Sequence, residues 1–158
     1  MVPQSIEREV QIDAPVETVW SLVTEPKHIA RWLSNAAEVD LRPGGELVLQ
    51  FDRLPMPALG VVESVERPHR FAFRWVTPEP DRDPSALDPS VRERYSTLVE
   101  FLLRTEGTGT LLRVVESGFS SVAGTDEQRA ELAERHEGGW GGFLEQLPQY
   151  AASLAVSA

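Results

Sequence analysis

The chain has 158 residues, 41% hydrophobic and 25% charged, with Lys and Arg totalling 15 against 25 Asp and Glu, a formal net charge of −10. The absence of cysteine excludes a disulfide scaffold, a thiolate metal site and a thiol nucleophile together. The acidic balance argues against nucleic acid, whose phosphates are met by basic stripes, and no run approaches the ~20 apolar residues of a membrane helix. The length suits one domain over residues 1–158. No charged-then-apolar leader opens the chain, so the expected location is the cytoplasm.

The first predicted element is a strand from Ser5 to Ile12, where Ile6, Arg8, Val10 and Ile12 alternate with Glu7, Glu9 and Gln11. Asp13-Ala14-Pro15 stops it, and Pro15 suits the first turn of a helix because a missing N–H costs nothing there. Val16, Val19, Trp20 and Val23 recur at helical spacing. Thr24-Glu25-Pro26 then ends that helix and begins another, with Ile29, Trp32 and Leu33 as its apolar stripe.

Strands with turn signals follow. Val39 and Leu41 run into Pro43-Gly44-Gly45, and Leu47, Leu49 and Phe51 alternate beyond it. Gly60 to Glu66 reads as a strand closed by Arg67-Pro68-His69, and Phe71, Phe73 and Trp75 alternate with Arg70, Ala72 and Arg74. Residues 77–93, with Pro78, Pro80, Pro84 and Pro89 among charged side chains, read as an exposed loop without regular structure, either a lid or a solvated insertion. Two further strands, Tyr95 to Thr105 and Thr110 to Phe119, are joined through Gly107 and Gly109.

The remainder is helical. Thr125 and Gln128 fit a capping box. Leu132, His136, Trp140, Phe143, Leu147, Tyr150 and Leu154 recur at spacings of 4, 4, 3, 4, 3 and 4, one continuous face. Unbroken from Asp126 to Leu154, the helix reaches about 43 Å. Gly138-Gly139 and Gly141-Gly142 weaken it and permit close approach of another backbone.

This order implies an α+β fold: a curved antiparallel sheet of about six to seven strands around a long C-terminal helix, with two short helices closing one end. A straight helix laid in a bent sheet leaves an internal cavity.

The residues Asp13-Ala14-Pro15-Val16-Glu17-Thr18-Val19-Trp20, Trp32-Leu33, Pro43-Gly44-Gly45, Arg70 to Trp75, Gly109-Thr110, Glu116-Ser117-Gly118-Phe119 and Gly139-Trp140 with Leu144 and Leu147 resemble bacterial homologues of the activator of the heat-shock-protein-90 ATPase. These belong to the START-like, birch-pollen-allergen-like (SRPBCC) superfamily. The resemblance spans about Ile6 to Leu154 and implies the helix grip and a hydrophobic ligand cavity. It fixes no reaction, because the superfamily hosts carriers, cyclases, hydrolases and co-chaperones.

Strand alternation defines the inward set. Leu112, Val114 and Glu116 share a face, as do Tyr95, Thr97, Val99, Phe101 and Leu103, and Phe71, Phe73 and Trp75. Glu116 and His136 are either the polar anchors of an aromatic pocket or, respectively, a half-exposed strand-end carboxylate and the place where the helix emerges into water. The candidate ligand-binding residues are Phe73, Trp75, Tyr95, Val99, Phe101, Val114, Glu116, His136, Trp140 and Phe143. Trp20 and Trp32 read as core or portal, and His28 and His69 as surface.

The three histidines show no metal-ligand spacing, Gly118-Phe119-Ser120-Ser121 is no nucleophile elbow, and Pro43-Gly44-Gly45 lacks the lysine of a phosphate loop. No metal or cofactor is expected, and a Glu116–His136 acid–base pair is the one candidate for catalysis. The expected function is binding of a small hydrophobic or aromatic molecule in an internal cavity between the sheet and the C-terminal helix. The alternatives are a co-chaperone module on a heat-shock-protein-90-type ATPase and a polyketide-cyclase-like enzyme.

Overall fold

The alternation at Ser5–Ile12 becomes strand β1, followed by helices α1 (Val16–Thr24) and α2 (Pro26–Trp32) in a computed structural model that describes residues 2–79 and 82–157. Pro15 occupies the N-cap of α1 and Pro26 the first turn of α2. Strands β2 (Ala36–Val39), β3 (Glu46–Gln50), β4 (Ala58–Glu66) and β5 (Arg70–Val76) follow. After them come a single 3-10 turn at Pro84–Ala86 and helix α3 (Pro89–Glu93). The chain continues through β6 (Thr97–Glu106), β7 (Gly109–Ser117), a second 3-10 turn at Phe119–Ser121 and helix α4 (Asp126–Ser157).

The strands form one seven-stranded sheet in the order β1-β7-β6-β5-β4-β3-β2. Every adjacent pair is antiparallel. β1 and β2 are the two edges, so α1 and α2 carry the chain from one edge to the other. The helix-grip expectation holds: the apolar stripe of α4 packs on the inward face of the sheet, and Trp140 meets Phe101 edge-on, 5.9 Å between ring centroids.

The core is aromatic. Phe71, Phe73 and Phe101 are buried and sit 5.5 to 6.1 Å from one another. Burying a side chain of this class contributes about 1.5–3 kcal/mol. Trp20 and Trp32 are core, and the Trp32 indole N–H donates to the Leu22 carbonyl at 2.8 Å.

The capping box forms as expected. The Thr125 hydroxyl accepts from the Gln128 amide at 3.1 Å, and the Gln128 side chain accepts from the Thr125 amide at 2.9 Å. Pro148 sits inside α4, removing one helical donor without ending the helix.

Three expectations need correction. Residues 77–93 are not without regular structure. Asp83 and Pro84 start the 3-10 turn, the Asp83 carboxylate accepting from the Ser85 amide at 2.9 Å, and Asp88 and Pro89 start α3. Arg92 ties the two pieces by donating to the carbonyls of Pro84 and Leu87. Asp-Pro is an N-cap followed by a helix-compatible φ, a start signal as much as a breaker. Pro80, read as part of that loop, lies outside the described residues. Tyr95 is not on the strand: β6 begins at Thr97, and Tyr95 lies in the preceding turn with the Arg82 guanidinium 4.0 Å from its ring centroid. His28 is half-buried, its Nδ1 2.6 Å from the Tyr150 hydroxyl, because α2 packs against α4 there.

Candidate functional site

The site grows from strand register. Trp75 of β5 pairs with Thr97 of β6, and Val99, two residues further along β6, pairs with Glu116 of β7. With side chains alternating along each strand, Trp75, Thr97 and Glu116 reach the same inward face as direct and diagonal neighbours. Helix α4 adds His136 and Trp140, one turn apart on its buried side.

These five residues form one hydrogen-bonded cluster around a carboxylate that is 0% exposed. Glu116 Oε2 accepts from the Trp75 indole at 3.0 Å, the Thr97 hydroxyl at 2.5 Å and His136 Nδ1 at 2.7 Å. Its Oε1 accepts from the Trp140 indole at 2.9 Å. A buried charge is tolerated when its lone pairs are filled in this way. Burial pushes the Glu116 carboxyl up; the electrostatic attraction of the neighbouring His136 imidazole and hydrogen bonds from His136, Thr97 and Trp75 outweigh it and hold it below the ordinary Glu value. An ionised carboxylate accepts only, so the hydrogen of that contact resides on His136 Nδ1.

The other imidazole nitrogen points outward. His136 Nε2 lies 3.1 Å from the Thr77 hydroxyl, which sits 3.5 Å from Glu79 Oε2, and Glu79 is ion-paired with Arg135. A polar line thus runs from the fully buried Glu116 to the surface.

That line opens into a cleft of about 420 Å³, lined by aromatic rings (Phe51, Trp75, Trp140, Phe143) and by Thr77 and His136 among others. Trp75 and Trp140 stack at 5.8 Å and 30°, and Arg53 lies 5.9 Å over the Phe143 ring. Gly138 and Gly139 of α4 also line the cleft, and only small residues leave it open on that side. Among the described residues, no three His, Asp or Glu side chains gather as metal ligands.

Of the residues singled out from the sequence, Trp75, His136, Trp140 and Phe143 line the cleft, and Glu116 anchors the network directly beneath it. Phe73, Val99, Phe101 and Val114 are buried in the core below and do not face it, and neither does Tyr95. Glu116 is the buried anchor rather than a half-exposed strand end. Sequence reasoning passed over Thr77, although the alternation Phe73, Trp75, Thr77 continues onto it. It also passed over Arg53, Glu79 and Arg135, which no periodicity marks.

The family model for activator of Hsp90 ATPase homolog 1-like proteins matches residues 13–152. Among solved structures, protein MLL2253 of Mesorhizobium loti is similar at 26% identity and a TM-score of 0.72, over 92% of this chain and 94% of that one. CalU16 of Micromonospora echinospora is 26% identical over 97% of this chain and 86% of its own, with a TM-score of 0.58. PFC0360w, an HSP90 activator from Plasmodium falciparum, shares the fold at 21% identity and a TM-score of 0.71, over 95% of this chain and 97% of that one. No curated protein matches the chain. With the family model spanning most of its length and these folds superposing on it, the chain belongs to the activator of Hsp90 ATPase homolog 1-like family.

Proposed function

We propose that the chain binds a small aromatic or apolar molecule in the cleft between α4 and the segment that follows β5. The observation that carries this is the arrangement of a few polar groups, Thr77 and His136, at the foot of aromatic walls in a space of about 420 Å³. Ligand sites commonly combine these two features in that range of volume. The internal cavity expected from the sequence is filled by Phe71, Phe73 and Phe101, so the bound molecule is one that enters the cleft from the surface. Arg53 has no carboxylate partner among the described residues and favours a ligand carrying negative charge at the mouth.

The test is titration with anilinonaphthalene sulfonate, an anionic aromatic probe, followed by its own emission and by quenching of tryptophan. Saturable one-to-one binding that is lost in Gly139→Trp supports the reading. Binding that is non-saturable or indifferent to Gly139→Trp overturns it.

The family description favours a second reading, docking on a heat-shock-protein-90-type ATPase. It requires that the chain stimulate ATP turnover by such an enzyme, and unchanged turnover at saturating concentration excludes it.

A further inference from the structure

The polar line at the cleft has the atom order of a hydrolytic triad. A buried carboxylate holds Nδ1 of an imidazole (Glu116–His136, 2.7 Å), and Nε2 of that imidazole faces a hydroxyl at the cleft wall (His136–Thr77, 3.1 Å). Each part meets a geometric requirement of an activated nucleophile: hydroxyl to base, base to orienting group, and a space beside the hydroxyl for substrate. The orienting group is held by more than the imidazole, since Thr97, Trp75 and Trp140 fill its remaining acceptor sites. Trp75 and Phe119 pack edge-on to the imidazole at 5.9 Å, fixing its plane.

We infer that Thr77 accepts acyl groups from esters of small aromatic acids bound in the cleft, with His136 as general base and Glu116 as its positioning residue. The inference rests on the cleft being a binding site and adds a reaction to it. The hydroxyl proton has two acceptors in reach, His136 Nε2 at 3.1 Å and Glu79 at 3.5 Å. The nearer is the imidazole, and Arg135 holds the other Glu79 oxygen, Oε1.

In the forward step Thr77 Oγ1 bonds to the ester carbonyl carbon while its proton passes to His136 Nε2. The carbon–oxygen bond to the alcohol then breaks, its electron pair leaving with the alcohol oxygen, which takes the proton back from Nε2. In the second step water attacks the acyl-threonine, giving its proton to Nε2. Nε2 returns that proton to Thr77 Oγ1 as the acid leaves. Ester and water become acid and alcohol, with no other reactant.

The test uses para-nitrophenyl benzoate with the whole chain, following nitrophenolate release and locating any benzoyl adduct by peptide mass spectrometry. The expected result is an adduct on Thr77 and turnover that falls by about 100-fold or more in Thr77→Val and in His136→Gln. Thr77→Ser, which keeps the hydroxyl, retains turnover and carries the adduct, showing that loss in Thr77→Val is not unfolding. Turnover equal in wild type and Thr77→Val, or an adduct only at other residues, overturns the inference. Probe binding by anilinonaphthalene sulfonate is measured on the same samples: retained binding with no Thr77-dependent turnover sinks this reaction alone, whereas absence of both sinks the cleft as a binding site as well.

Discussion

His136 Nδ1 lies 2.7 Å from Glu116 Oε2, joining the N-terminal third of the long helix to the end of an interior strand through a carboxylate that water does not reach. The contact spans 20 residues of sequence. It makes the inward face of β7 and the buried side of α4 one polar unit within a largely apolar interior.

Removing the charge at that junction is expected to be costly. Glu116→Gln replaces one acceptor oxygen by an N–H group that faces other donors, leaving indole or imidazole hydrogens unmatched. Breaking a buried pair of this kind costs about 3–5 kcal/mol, and urea denaturation measures it. A loss below about 1 kcal/mol means that the cluster is hydrated in solution.

The same carboxylate sets an acid limb of stability. Its folded pKa lies below the ordinary value of 4.5, so its contribution is complete above that value. The contribution is lost as the pH falls below 4.5 and through the folded pKa. Urea midpoints measured from neutral to acid pH should therefore fall more steeply in the wild type than in Glu116→Gln, and the two curves should converge at the acid end. Parallel curves contradict the assignment.

His28 acts in the same direction through a different cause. Burial against α4 lowers its pKa from 6.5; Glu25 opposes this and Lys27 adds to it. A histidine kept neutral by folding penalises the folded state below its folded pKa, and the penalty is relieved as the pH rises to and beyond 6.5. His28→Gln should flatten stability between mildly acid and neutral pH. Urea midpoints would read that change; Tyr150→Phe should remove the hydroxyl that meets Nδ1 at 2.6 Å, and NMR titration of the His28 imidazole would follow it.

Phe101 is the aromatic hub of the core, touching the rings of Trp32, Phe71, Phe73 and Trp140. At 1% exposure it has no route to water, and Phe101→Ala should cost about 3–5 kcal/mol. Calorimetry would register the loss as a lower melting temperature.

Two glycines should respond oppositely to alanine. At Gly138 an added Cβ meets nothing within 4 Å, so Gly138→Ala should stabilise α4 by about 0.5–1 kcal/mol. At Gly60 the same Cβ lands 2.3 Å from the Arg74 carbonyl oxygen, and β4 must part from β5 to admit it. Gly60→Ala should lower the melting temperature while Gly138→Ala raises it.

Much of this molecule is written locally. Period-two alternation marks β1, β5, β6 and β7 because a strand sends successive side chains to opposite faces, and the stripe from Leu132 to Leu154 marks α4 because a helix repeats every 3.6 residues. Those two periodicities also put Glu116 and His136 on inward faces before any tertiary contact is known. Asp83-Pro84 and Asp88-Pro89 show the limit of the same reasoning, since proline after a capping residue ends one element and begins another.

Tertiary structure decided what those faces met. Whether Glu116 is solvated or enclosed depends on Thr97 and the two indoles arriving from β5, β6 and α4, a matter of sheet register and of where the helix lies across it. It also decided that the aromatic residues divide, Phe73 and Phe101 filling the interior while Trp75, Trp140 and Phe143 border a cleft. Alternation reports which side of a strand a residue occupies, but burial is a property of the space between elements, and that space exists only once helix and sheet have closed on each other.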